Sequence, residues 1–177
     1  MKYILSILAL LLISCKPIKH ANYTICNQTV STTVNCPENG SCSLELIPNK
    51  SLEFKVDEFG NSYPVITKGD MVILKYTFKK NTVSNAQDSN YTEIVYAELN
   101  KNISELTLKD NELESRKLYF GRLCYCKGET GYYPIKKGEF RLTMEPENNI
   151  KVDFKFTIKE VPQIISTINE FISLKSN

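Results

Sequence analysis

Ile150-Lys151-Val152-Asp153-Phe154-Lys155-Phe156-Thr157-Ile158 alternates without a break between apolar and polar residues. Ile150, Val152, Phe154, Phe156 and Ile158 fall on one side, with Lys151, Asp153, Lys155 and Thr157 on the other. Successive side chains of an extended chain point to opposite faces, so this run predicts a strand with one buried and one wet face. Such one-sided strands belong to antiparallel sheets.

The same period recurs along the chain. Ser43-Leu44-Glu45-Leu46, Ser51 to Val56, Val72 to Phe78, Tyr91 to Leu99, Lys117 to Cys126 and Glu139 to Met144 all read as strands. Turn chemistry separates them at Phe59-Gly60-Asn61, Lys68-Gly69-Asp70, Lys127 to Gly131, Lys137-Gly138 and Pro146 to Asn149. Short, regularly punctuated strands predict a mainly β fold, an antiparallel β-sandwich spanning residues 23–177 as one domain. The segment from Ile103 to Leu113 reads as a turn or a strand. The C-terminal segment reads as a short helix: Pro162 suits a first helical position, and Ile164, Ile165, Ile168, Phe171 and Ile172 recur at helical spacing. The competing reading is a final edge strand, because β-branched residues are frequent there.

The N-terminus carries a different signal. After Met1-Lys2 an apolar run from Tyr3 to Ile13 is too short to span a bilayer, which takes about 20 residues. It matches the apolar core of a cleaved export signal. Leu12-Ile13-Ser14-Cys15 has an aliphatic residue at −3, a small one at −1 and then a cysteine. This resembles the lipobox of bacterial cell-envelope lipoproteins, and the leaning toward Lys, Asn and Tyr is similar to such proteins from Bacteroidetes-type bacteria. The resemblance implies a signal peptide over residues 1–14, lipid attachment (diacylglycerol and an acyl chain such as palmitate) at Cys15, and a tether over residues 15–22. Several acyl chains anchor durably, since each buried CH₂ contributes about 0.8 kcal/mol. Lys16-Pro17-Ile18-Lys19-His20 holds no acidic run, which leans toward the periplasmic face of the outer membrane. The alternatives are an ordinary secreted protein and an uncleaved anchor.

Removing the 14 residues ahead of Cys15 from 177 leaves 163, long enough for a real core. The formal charge of +2 falls to +1 with Lys2 removed, so the basic footprint of a nucleic-acid binder is missing. The partners expected are the membrane, through the lipid, and an envelope protein or glycan; no cofactor is expected. Six Asn-x-Ser/Thr sequons begin at Asn22, Asn27, Asn39, Asn49, Asn90 and Asn102. In a eukaryotic or viral secreted protein they would mark glycans on surface loops, which sustains a second reading as a secreted inhibitor or decoy.

Cys26, Cys36, Cys42, Cys124 and Cys126 follow Cys15. In an exported chain their default fate is disulfides. Cys36-Pro37-Glu38-Asn39-Gly40-Ser41-Cys42 holds turn residues, so a 36–42 bridge is sterically sound. Cys124 and Cys126 lie two apart on a predicted strand, about 6.5–7 Å, which suits two different partners better than each other. Cys26 with one of them is the simplest second bridge; cross-pairing of Cys36 and Cys42 with Cys124 and Cys126 is another. A Cys-x-Cys metal site is the functional alternative, but His20, the one histidine, lies in the tether.

With the folded body free of histidine, Ser-His and Cys-His nucleophiles are excluded. Asp57, Glu58, Glu129 and Glu139 remain as carboxylates for a glycan hydrolase, without informative spacing. The densest unusual patch runs from Arg122 to Tyr133. Arg122, Tyr125, Lys127, Tyr132 and Tyr133 combine the residue types that interfaces favour and that stack on sugars. The plainer alternative is a disulfide-pinned hairpin whose tyrosines pack on the sheet. The reading is a non-catalytic binding or assembly module.

Overall fold

The computed structural model describes residues 23–25, 27–32, 35–82 and 89–174. The expected signal peptide, Cys15, His20, the expected tether and Cys26 lie outside the described residues. In chain order the strands are β1 (Tyr23–Thr24), β2 (Thr29–Thr32), β3 (Gly40–Val56), β4 (Ser62–Lys80), β5 (Tyr91–Leu99), β6 (Asn102–Ile103), β7 (Leu106–Lys109), β8 (Leu118–Cys124), β9 (Gly131–Pro134), β10 (Gly138–Glu145), β11 (Asn149–Phe156) and β12 (Thr167–Ser173). Short 3₁₀ segments, Asp110–Ser115 and Pro146–Asn148, complete the elements.

The run at 150–158 supplies β11, inside a four-stranded sheet of order β12-β11-β10-β7. A six-stranded sheet of order β2-β3-β4-β5-β8-β9 faces it, and β1 pairs with β6. Every pairing is antiparallel. Phe140, Leu142, Val152, Phe154, Phe156, Ile168 and Ile172 from the smaller sheet meet Leu44, Leu46, Val72, Leu74, Tyr76, Phe78, Val95, Ala97 and Phe120 from the larger. The chain is thus mainly β and sandwich-like. Each fully buried large apolar side chain contributes roughly 1.5–3 kcal/mol.

The predicted C-terminal helix is instead strand β12. Ile168, Glu170 and Ile172 are buried while Thr167, Asn169, Phe171 and Ser173 are exposed, a strict period of two. Helical spacing of isoleucines lost to their β-branching and to a vacant edge of β11. Asn35 ties this edge to the other sheet: its N–H donates to Glu170 Oε1 at 3.1 Å and its side-chain amide to the Asn169 carbonyl at 2.9 Å.

Lys68-Gly69-Asp70, predicted as a turn, lies within β4. Residues 43–56 form one strand, β3, kinked by a bulge at Lys50 where Asn49 has φ 57°. Gly69 sits against this bulge, and a Cβ there would fall 1.9 Å from Ser51 Oγ. Its glycine serves close backbone approach rather than chain reversal.

Beyond the bulge the β3–β4 hairpin bends across the outer face of the larger sheet as an arm. Leu52 is fully buried with Ile73, Ile94 and Tyr96 in a second apolar cluster, flanked by Phe54, Leu123 and Tyr132. The Leu52 N–H donates to Glu98 Oε1 at 2.8 Å, and Glu98 also pairs with Lys117 at 3.0 Å. Asp57 closes the arm's tip by accepting from the Phe59 and Asn61 amides. Both faces of β5 are therefore covered, which explains its continuous burial from Glu93 to Leu99.

Candidate binding loop

The patch from Arg122 to Tyr133 is the end of the β8–β9 hairpin. Strand pairing runs from Tyr119↔Pro134 to Arg122↔Gly131. Side-chain alternation then distributes the aromatic residues. Tyr132 pairs with Gly121 and lies over it: a Cβ on Gly121 would come 2.4 Å from the Tyr132 ring. Tyr132 faces the arm, while Tyr133 faces the main core. The two predicted contact residues thus lie on opposite faces of β9, partly buried, as packing residues of a disulfide-pinned hairpin.

Arg122 is 8% exposed and points inward. Its guanidinium pairs with Glu129, donates through Nε to the Tyr91 hydroxyl at 3.3 Å and lies 5.5 Å above the Tyr91 ring. Burial works against its charge, but the bonds to Glu129 and Tyr91 outweigh it and raise its pKa. The Thr130 hydroxyl donates to the Arg122 carbonyl at 3.0 Å. Arg122 therefore braces the loop from below.

Tyr91 donates in turn to Glu93, and burial followed by this bond pushes the phenol up to about 12. Glu93, 1% exposed, accepts from the Ile164 amide at 2.7 Å and the Ile165 amide at 2.6 Å. A chain of contacts so runs from the loop through Glu129, Arg122, Tyr91 and Glu93 to the β11–β12 connection. Glu93 was legible only as a lone acid on the apolar face Tyr91-Glu93-Val95-Ala97-Leu99.

Cys124 and Cys126 are bonded to each other, not to separate partners. The strand ends at Cys124 and the chain bends at Tyr125, bringing the two Cα atoms to 5.2 Å, well short of the strand spacing. The 36–42 bridge is present as expected. With these four cysteines paired, none of them is left for Cys26.

Tyr125 and Lys127 stand outward. Tyr125 is 84% exposed, the most exposed large apolar side chain among the described residues. With Cys124, Cys126, Lys127, Gly128 and Thr130 it lines an open hollow of about 490 Å³. The loop combines a free aromatic face, a cation and a braced backbone, which suits binding through stacking and apolar contact.

Asp57, Glu129 and Glu139 lie on separate elements with separate partners. Asp57 belongs to the arm's tip, Glu129 to Arg122, and Glu139 on β10 to Arg141 and Lys109. Glu58 lies in the same exposed tip as Asp57. Among the described residues no three His, Cys, Asp or Glu side chains gather as a metal site.

Comparison with protein-family models, with curated proteins and with solved structures finds no match.

Proposed function

We propose that this chain is a lipid-anchored, non-catalytic binding or assembly module of a bacterial cell envelope. Cys15 carries the lipid, the tether over residues 15–22 spaces the β domain from the outer membrane on its periplasmic side, and the Tyr125–Lys127 loop engages an envelope protein or glycan. The observation that carries this reading is the 84% exposure of Tyr125 on a turn held by a disulfide, an ion pair and strand pairing. Keeping a large aromatic side chain in water is a cost that an interface removes. Anchoring raises local concentration and lets a weak contact suffice.

The test places a photo-crosslinking residue at position 125 in the full chain, expressed in its envelope. A discrete adduct at 125, absent when the same residue replaces Lys155 on the far sheet, is expected. Equal labelling from both positions overturns the loop assignment. Radiolabelled palmitate should mark the wild type and not Cys15→Ala; labelling of neither overturns the anchor.

A second reading, a secreted glycoprotein that blocks a partner, is favoured by the exposure of Asn27, Asn39, Asn49, Asn90 and Asn102, five of the six sequon asparagines. The intact mass of the native protein separates the two. Diacylglycerol on Cys15 supports the first, and glycans on these asparagines support the second.

A further inference from the structure

The two disulfides are placed differently. Cys42 is 5% exposed and lies in the main core, with Cys36 packed against it. Cys124 and Cys126 belong to neither apolar cluster, are partly exposed, and both line the open hollow beside Tyr125 and Lys127. The 36–42 bridge spans six positions and the 124–126 bridge two. Cross-links constrain the unfolded chain less as their loops shorten, so the second adds least to the fold.

The hairpin is held by other contacts besides that bridge. Strand pairing continues to Arg122↔Gly131, Arg122 is paired with Glu129, and Thr130 is bonded to the Arg122 carbonyl. The Glu129 N–H also donates to the Cys126 carbonyl at 3.1 Å. These contacts frame the two cysteines without passing through the S–S bond. The pair is open to solvent on a loop that has these further ties, and Lys127 lines the same hollow.

We propose that Cys124–Cys126 is a redox-active couple that oxidises the dithiol of a cysteine-containing polypeptide. One substrate thiolate attacks a sulfur of the bridge; the S–S bond breaks, a mixed disulfide forms, and the other cysteine leaves as a thiolate and takes up a proton. The second substrate thiol, giving up its proton, attacks the mixed disulfide and displaces the remaining cysteine, which is protonated in turn. The substrate loses two electrons and two protons and becomes a disulfide; Cys124 and Cys126 become thiols. The hollow admits the attacking side chain, and Tyr125 offers the substrate backbone an apolar contact. This activity goes beyond the binding reading, replaces its non-catalytic part, and stands whether or not Cys15 is lipidated.

The test equilibrates the full-length folded protein with graded glutathione buffers, traps free thiols by alkylation and maps them by peptide mass. Cys124 and Cys126 are expected to reduce and reoxidise reversibly at least about tenfold faster than Cys36 and Cys42, with the β circular-dichroism signal unchanged. A reduced synthetic peptide carrying two cysteines should be oxidised as the Cys124 and Cys126 thiols appear in equal amount. Cys126→Ser should hold the oxidised peptide as a mixed disulfide on Cys124. Parallel reduction of both bridges, resistance of 124–126 until denaturant is added, or failure of the double variant Cys124→Ser/Cys126→Ser to fold would each overturn the proposal.

Discussion

The ring of Phe54 stacks on that of Tyr119, with centroids 3.6 Å apart and planes 11° from parallel. Phe54 belongs to the arm and Tyr119 to β8, so this contact fastens the folded-back hairpin to the sheet it covers. Tyr96 meets the Phe54 ring edge-on at 6.2 Å and Tyr132 at a tilt at 5.7 Å. Three tyrosines from three strands thus form a cradle that the chain fills with its own phenylalanine.

Replacing Phe54 by Ala should cost about 2–3 kcal/mol, below the range for a fully buried phenylalanine because this one is partly exposed. Urea denaturation measures the loss. Phe54→Leu should recover part of it by keeping apolar area. A change under about 0.5 kcal/mol, the level of an ordinary surface substitution, would show that the arm's contact is not stabilising.

The arm also marks where sequence reading stops. Ser51 to Val56 reads as a strand, and it is one. That it continues Ser43 to Leu46 through a bulge, and then covers the outer face, depends on Asn49 adopting a left-handed backbone and on Gly69 admitting Ser51. Those are pairwise facts that no single segment carries. The alternation at 150–158 was decisive because both neighbours of β11 obey it. At 164–172 the isoleucines satisfy two periods at once, and the open edge of β11 decides between them. The tyrosines at 132 and 133 were visible as a pair, but adjacent positions on a strand face opposite ways, so composition alone could not place them on one surface. Tyr125 alone of the aromatic candidates stands free, because the chain leaves the strand at that residue.

Glu93 holds the β11–β12 connection through two backbone amides, one at each carboxylate oxygen. Glu93→Gln keeps one acceptor and turns the other into a donor facing a donor. Leaving one buried amide unsatisfied costs about 1–3 kcal/mol, and this loss is the expected outcome in urea denaturation. Amide hydrogen exchange at Ile164 and Ile165 should accelerate, while the amide of Leu52, bonded to Glu98 on the other face, keeps its local protection. Unchanged exchange at both isoleucines would refute the tie.

Alkaline pH tests the buried phenols. Burial, with lesser contributions from Tyr132 and Glu45, pushes Tyr96 up to about 12; burial and the Glu93 bond do the same for Tyr91. Burial also raises Tyr132 and Tyr133. A tyrosine in the unfolded chain ionises near 10. Between about pH 10 and 12 the folded state therefore binds more protons than the unfolded state, and stability falls as pH rises. Below the unfolded value these groups contribute their full stability. Each unit corresponds to about 1.4 kcal/mol, so Tyr96, which is 5% exposed, should account for about 2–3 kcal/mol of the loss. The comparison that isolates the phenol is wild type against Tyr96→Phe, followed by denaturant midpoints from pH 8 to 12. The variant should show a shallower decline, and phenolate absorbance should show one fewer late-ionising tyrosine. Identical slopes for the two proteins would mean that Tyr96 ionises without opposing the fold.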